Sequence, residues 1–324
     1  MTGRQHHIPV LKQEVIDFLN PSADKTFIDC TFGAGGHTEA LLEKGATVIA
    51  LDRDTNNEKF AIELQKIYGE KLVFINIKFS QLKEILKKYN FLYEKENAKN
   101  RTAKLDGILY DVGMSSMQID EAERGFSFQK DGRLDMRMGC NTKSAFDIVN
   151  KASERELADI IYRYGNEKFA RKIAKAIVEN RAKCCITSTL QLAEIIKNCL
   201  PFYHDTIHPA TRTFQAIRIA VNDELKELEQ SLNVASTLTP LGCKLAVITF
   251  HSLEDEIVKH IFQKYSKGEK QHFNRNDPQI LISNTNLSSI TLKVNTRKPI
   301  LPSEREKQEN VRSRSAKLRI AERI

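Results

Sequence analysis

A glycine turn and an acid carry the first chemical signal. Phe27-Ile28-Asp29-Cys30-Thr31-Phe32-Gly33-Ala34-Gly35-Gly36-His37 reads as a strand, a glycine turn and the start of a helix. Glycines let backbone approach a ligand where a Cβ would clash, and a helix N-terminus offers unpaired N–H donors. Asp52 closes the next apolar run, 19 residues after Gly33. An acid at the carboxyl end of a strand in an open α/β sheet can accept from both hydroxyls of a ribose. Turn and acid together point to an adenosine-containing cofactor; the plain alternative is a mere turn. A dinucleotide site prefers G-x-G-x-x-G, and position 38 is not glycine. No Gly-Lys-Ser/Thr occurs here, which excludes a P-loop. The spacing suits S-adenosylmethionine, which has no phosphate.

Two further side chains sit where strands end. Asp111 closes the apolar run Leu105 to Tyr110, and His251 follows Leu245 to Phe250. Ser252-Leu253-Glu254-Asp255 after His251 also suits a helix N-cap, so capping competes with chemistry there. His6 and His7 have no third ligand at metal spacing, and no catalytic metal is expected. The six cysteines show no CxxC pairing and read as reduced intracellular thiols.

The elements that must position these groups alternate. Strand-like Thr26 to Asp29, Thr47 to Leu51, Leu72 to Ile75 and Leu105 to Tyr110 are separated by helices at 37–44, 58–68 and 81–89. Such alternation implies a parallel sheet covered on both faces. From Ser144 to about Leu200 only helical periodicity appears, with helices at 152–164, 167–181 and 190–200. Phe169, Ile173 and Ile177 are the expected core stripe of the middle one, with Lys168, Lys172 and Lys175 on a solvated face. A long helix is expected over 210–232, opened by His208-Pro209. Lys244 to Phe250 is another buried strand with a helix to Tyr265. Ala316-Lys317-Leu318-Arg319-Ile320 alternates as a half-exposed strand does. The fold class expected is α/β, a doubly wound sheet interrupted by an all-helical insertion. Tyr93 to Lys104 reads as a polar loop.

Composition narrows the class. With 324 residues, 41% hydrophobic and 28% charged, the chain is that of a globular protein of one large or two medium domains. No apolar run is long enough for a membrane helix, and the first residues lack a secretory apolar segment. The net charge is +8, and residues 293–324 hold ten Lys/Arg against four Glu. Residues 76–104 hold eight Lys/Arg against three Glu. Local basic surface favours a polyanion, nucleic acid above all, against an ordinary solvated face.

Seven segments then resemble one known family. They are Thr31 to His37 (TFGAGGH), Asp111 to Gln118 (DVGMSSMQ), Glu123 to Phe128 (ERGFSF), Leu134 to Met138 (LDMRM), His208 to Ala216 (HPATRTFQA), Phe250 to Asp255 (FHSLED) and Arg314 to Arg319 (RSAKLR). In this order, from about His7 to Arg323, the chain resembles the bacterial small-subunit ribosomal RNA (cytosine-N4)-methyltransferases. Met114 and Met117 depart from the family's usual valine and proline, as apolar exchanges. The resemblance implies a Rossmann-like S-adenosylmethionine-dependent domain over 1–140 and 206–324, with a helical substrate-recognition insertion over 141–205. It implies methyl transfer to the N4 amine of a cytidine in small-subunit (16S) rRNA, in the cytoplasm. The partner is that RNA or the assembled small subunit; the oligomeric state stays open, a homodimer included.

Matched by motif, the family implies that Gly35, Gly36, His37, Asp52, Phe79, Asp111 and Gln118 hold the methyl donor. A cytosine amine is a poor nucleophile because its lone pair is delocalised, so a proton acceptor and tight positioning are needed. Asp111 is the best-placed acceptor, with Ser115, Ser116 and His251 as other candidates to hold the base. Arg124, Arg133 and Arg137, with Phe126 and Phe128 among them, suit phosphates and splayed bases. The competing reading is a loop ion-paired with Asp131 and Asp135. Two other functions stand beside this one. A methyltransferase with a small-molecule or DNA acceptor is weighed against by the basic tail. An assembly protein with a vestigial cofactor fold is weighed against by the intact turn, Asp52 and Asp111.

Overall fold

The computed structural model describes residues 9–93, 103–141, 143–200, 207–267 and 290–324. His6, His7 and most of the 93–104 loop lie outside them. The chain divides into two compact units, one of Met1–Asp52, Asn56–Gly113 and Glu227–Ile324, the other of Arg53–Thr55 and Met114–Lys226. The helical unit thus starts before residue 141 and ends after residue 205. Among the described residues no helix is long and apolar enough to cross a membrane.

The first unit holds β1 (Thr26–Asp29), β2 (Thr47–Asp52), β3 (Leu72–Asn76), β4 (Gly107–Asp111), β5 (Lys244–Thr249), β6 (Leu292–Val294) and β7 (Lys317–Arg323). They form one sheet in the order β3-β2-β1-β4-β5-β7-β6. Strands β1 to β5 pair in parallel, and β7 runs antiparallel to both β5 and β6. This is a Rossmann-like α/β sheet. Side chains alternate across it, as the strand period of two requires. Ile28, Ile49, Leu51, Ile108 and Val247 face one core, with Leu82 and Leu86 of α4 (Leu82–Lys88), Leu228 and Leu232 of α11 (Glu224–Leu238) and Val258 of α12 (Ser252–Lys267). Phe27, Val48, Ala50, Leu109 and Ile248 face the other, with Val15 of α1 (Lys12–Leu19), Leu41 of α2 (Gly36–Glu43) and Leu64 of α3 (Glu58–Tyr68). Both faces are buried, so the central parallel strands are largely apolar.

The end of the basic tail joins the sheet, and three of its cations turn inward. Lys317 and Arg319 lie two apart on β7 and both reach Asp255 of α12, Arg319 through two bonds of 2.7 and 3.1 Å. Arg323 is buried and donates to the carbonyls of Thr291, Thr237 and Ile324. The expectation of a basic surface here is corrected for these residues, because their partners are internal. In α13 (Glu304–Glu309), Glu306 accepts from the Leu11 N–H at 2.7 Å.

The second unit is helical: α5 (Ser116–Asp120), α6 (Ala145–Lys151), α7 (Glu154–Gly165), α8 (Ala170–Arg181), α9 (Thr189–Cys199) and α10 (Thr211–Asn222). Its core gathers Leu157, Ile161, Ile173, Ile177, Leu192, Ile196, Phe214 and Ile217. Ser144 and Ser153 open α6 and α7 with reciprocal capping boxes to Asp147 and Glu156. No described residue between 112 and 243 joins the main sheet.

Two expectations change here. The long helix over 210–232 is two helices, broken at Asp223, which is left-handed with φ 51°. Asn222 holds the break, donating to Met136 O at 2.7 Å and accepting from the Met138 N–H. The buried Arg218 closes it by a two-pronged pair with Glu224, both bonds 2.8 Å. Phe169 is not core but 48% exposed, because α8 starts only at Ala170 and Phe169 stands in its cap.

Candidate active site

In the first unit the strand ends converge. The turn after β1 needs its glycines: Gly33 and Gly35 have φ of 55° and 84°. A Cβ on Gly35 would also lie 2.7 Å from Leu64 Cδ1 and 2.9 Å from the Phe32 ring. Gly35 N–H donates to Phe32 O, and α2 begins at Gly36. Asp52 ends β2 and grips this turn, its Oδ2 accepting from Gly33 N–H at 2.7 Å and Asn57 Nδ2 at 2.9 Å. Asp52 is therefore a structural acceptor for the glycine turn, a role the ribose argument did not include.

Asp29, which ends β1, is fully buried; burial raises its carboxyl above the usual range, and bonds from Thr38 Oγ1 and Thr31 N–H moderate the rise. Thr31 Oγ1 accepts from the Asp111 N–H at 2.6 Å, tying the end of β4 to the turn. His37, in the first turn of α2, is 5% exposed, with Nε2 3.5 Å from Asp111 Oδ2. Both His37 ring nitrogens and Asp111 Oδ1 are buried without a hydrogen-bond partner among the described residues. Buried polar atoms of this kind are ones a polar ligand can satisfy. Phe79 starts a short turn after β3 and sets its ring edge-on to Tyr110, centroids 6.0 Å apart.

His251 follows β5 and lies against Glu254. Its Nε2 lies 2.9 Å from Oε1 of the fully buried Glu254, and its Nδ1 accepts from the Glu254 N–H at 3.4 Å. Glu254 Oε2 accepts from the Phe250 and His251 N–H groups. The Nδ1 contact gives His251 a place in the cap of α12, while its Nε2 is buried without a hydrogen bond among the described residues.

In the second unit Gln118 completes a capping box with Ser115 and donates to Asp54 Oδ2 at 2.8 Å. Arg124 donates to the same Asp54 oxygen at 2.8 Å and to Arg137 O at 2.9 Å. Arg137 pairs with Asp135 by bonds of 2.7 and 2.8 Å. Asp131 instead caps α9, accepting from Leu190 N–H. Phe126 is buried, and Phe128 packs on His208 and Phe214 at 4.7 and 4.8 Å. Arg124 is paired with Asp54 and Arg137 with Asp135, the second as the ion-paired reading of this loop expects. Arg133 alone of the three projects, 86% exposed beside an exposed Glu123 at 3.7 Å.

Sequence reasoning named His37 and Asp111 separately and missed their pairing, as it missed Asp54 and Glu254 as anchors. Only a carboxylate three residues after His251 hinted at any of these. Among the described residues no group of His, Cys, Asp or Glu is arranged to hold a metal ion.

Comparison with known proteins agrees over the whole chain. A protein of Rickettsia conorii named ribosomal RNA small subunit methyltransferase H is 46% identical over 324 residues, 99% of each chain. Its namesake in Rickettsia bellii is 45% identical over 323 residues, 99% of this chain and 100% of that one. The crystal structure of an rRNA methylase from Streptococcus thermophilus covers 98% of this chain and 99% of its own, at 10% identity and a TM-score of 0.37, too distant to build on. The family model described as the MraW methylase family matches residues 4–324, and the chain belongs to that family.

Proposed function

We propose that this protein transfers a methyl group from S-adenosylmethionine to the N4 amine of a cytidine in small-subunit rRNA. The observation that carries the reading is the whole-length match to relatives named for small-subunit rRNA methylation. The strand ends fit the donor. It carries an ammonium, a carboxylate and two ribose hydroxyls, and the site offers buried His37 nitrogens without a protein partner. When bound, S-adenosylmethionine supplies a methyl group activated on a sulfonium.

The chain's own residues do the rest. Gly33 to Gly36 bring backbone close to the donor. Asp52 holds that turn and the ribose, and a carboxylate has about four acceptor positions for such work. Phe79 packs against the adenine. Gln118 acts by bracing the turn after β4 through Ser115 and Asp54. Asp111 Oδ1 accepts a hydrogen bond from the cytosine amine, which draws the nitrogen lone pair out of ring delocalisation, and it takes up the proton released. The Thr31 hydroxyl holds the Asp111 backbone N–H, and His37 lies beside the carboxylate. Arg133 meets phosphate. This reading places the chain in the cytoplasm, where ribosomes are.

Transfer of label from tritiated donor to stripped small-subunit rRNA and to assembled small subunits, followed by nucleoside analysis, tests the reading. N4-methylcytidine is expected. Label in a small molecule, in DNA or in no acceptor rejects it, and comparison of the two rRNA forms identifies the substrate.

A further inference from the structure

The corner that joins α7 to α8 carries a surface that the strand-end site does not use. Tyr162 is 64% exposed and Phe169 is 48% exposed. Their helices are anchored on the other side by Leu157, Ile161, Ile173 and Ile177. The chain turns at Asn166, which is left-handed with φ 49°. Gly165 sits tight on α10, where a Cβ would lie 2.6 Å from Arg212 O. Glu167, the only acid between residues 162 and 175, is buried, accepting from Phe169 N–H at 2.9 Å and facing Arg212 at 3.9 Å.

That burial leaves one sign of charge outside. Arg163, Lys168, Arg171, Lys172 and Lys175 are all exposed, so every exposed formal charge over 162–175 is positive. Two exposed acids flank the stretch. Asp159 lies one turn before Arg163, and Glu179 approaches Lys175 at 3.8 Å in a surface pair of little strength. Exposed aromatic rings set among cations match the chemistry of unpaired RNA, whose bases stack while its phosphates pair. An apolar protein partner would call for contiguous aliphatic surface, and the exposed residues next in sequence to these rings, Arg163 and Lys168, are charged.

We propose that the α7–α8 corner docks unpaired nucleotides of the RNA substrate. Tyr162 and Phe169 stack on bases, and Lys168, Arg171 and Lys172 contact phosphates. This rests on the RNA reading above and extends it to a surface of the helical unit.

The test uses the full chain, fluorescence anisotropy with a short labelled single-stranded RNA and its duplex form, and label transfer to rRNA. Tyr162→Ala with Phe169→Ala should weaken single-strand binding by about tenfold or more and spare duplex binding. Tyr162→Phe should bind as wild type, because the ring is kept. Lys168→Gln with Arg171→Gln should flatten the log–log salt slope by about 0.7 per lost contact. Donor affinity by calorimetry should not move in any of them. Wild-type single-strand affinity in the aromatic double variant overturns the proposal. So does a loss seen only with protein-containing subunits, which makes a ribosomal protein the partner, or a change in self-association by sedimentation. If wild-type protein labels rRNA while the variants bind normally, the corner fails and the methyltransferase reading stands. If wild-type protein labels no RNA, that reading itself fails.

Discussion

His37 Nε2 and Asp111 Oδ2 lie 3.5 Å apart, one at the start of α2 and the other at the end of β4. Asp111 is held from behind. Asp111 is tied through its N–H to Thr31, and Thr31 in turn to the buried Asp29. The pair brings a ring and a carboxylate from segments 74 positions apart in sequence to one point where strands end. A carboxylate fixed in this way keeps one oxygen for the reacting amine at little reorganisation cost.

Asp52 has two tasks, and a variant should show both. Asp52→Ala removes the acceptor of Gly33 N–H and Asn57 Nδ2 as well as the ribose contact. Each such bond is worth roughly 1 to 3 kcal/mol, so donor affinity by calorimetry should fall about 5- to 150-fold. Unfolding temperature should fall too, and Asn57→Ala should lower it less. Unchanged stability in Asp52→Ala would mean the glycine turn stands without its acceptor.

Gly35→Ala tests the turn from the other side. A positive φ and a methyl 2.7 Å from Leu64 Cδ1 together should cost roughly 1 to 3 kcal/mol in denaturant unfolding. Donor affinity should drop with it. Gly69→Ala is the control, for it has a positive φ of 57° but nothing within 4 Å of an added Cβ. Its cost should be smaller, and donor affinity should be unchanged.

Arg124 and Arg133 should separate structure from capture. Arg124→Met leaves the buried Asp54 short of its cation, and breaking such a pair costs about 3 to 5 kcal/mol. Arg133→Gln should leave unfolding unchanged and reduce the salt slope of RNA binding by about 0.7. The reverse pattern, a stable Arg124 variant with weaker RNA binding, would return Arg124 to the phosphate-binding role.

Two carboxylates should shape the pH dependence of stability with opposite sign. Burial alone would push Asp255 up, and the Arg319 and Lys317 charges more than reverse it, so its carboxyl falls below 3.8. Its contribution is then full above 3.8 and is lost as pH falls through the lower folded value. Asp29 is raised above 3.8 by burial, so its contribution is full below 3.8 and is lost as pH rises through the raised value. Asp255→Asn should flatten the acid limb of the stability curve. Asp29→Asn should remove the loss on the other side, since an amide can accept from Thr31 N–H and donate to Thr38 Oγ1. Denaturant unfolding across pH reads both slopes.

The sheet was legible because its signal is local. Buried runs such as Val48 to Leu51 are apolar throughout, and β7 alternates apolar and polar residues with the strand period of two. The glycine turn and Asp52 were legible for the same reason, since both sit where a run stops. What stayed hidden depends on partners distant in sequence. The break at Asp223 comes from Asn222 meeting Met136, 86 residues away. Phe169 fits a helical stripe by spacing, yet the helix starts one residue later, so the ring faces water. Arg124, Arg319 and Arg323 read as surface charge, and nothing local announces Asp54, Asp255 or the Thr291 carbonyl as their partners, whereas Asp135 stands two residues from Arg137 and was legible as its partner. Helix α13 escaped because its anchor is the backbone of Leu11, at the other end of the chain.

The role of Asp111 as proton acceptor is tested most directly by single-turnover methyl transfer with Asp111→Ala, at saturating donor and saturating RNA. Saturation removes any loss of donor affinity from the reading. The rate should fall by about 100-fold or more, in the range of lost positioning, while RNA affinity stays near wild type. A wild-type rate at saturation would contradict the account, confine Asp111 to binding the donor, and move the search for the acceptor to Ser115 and the cap at His251.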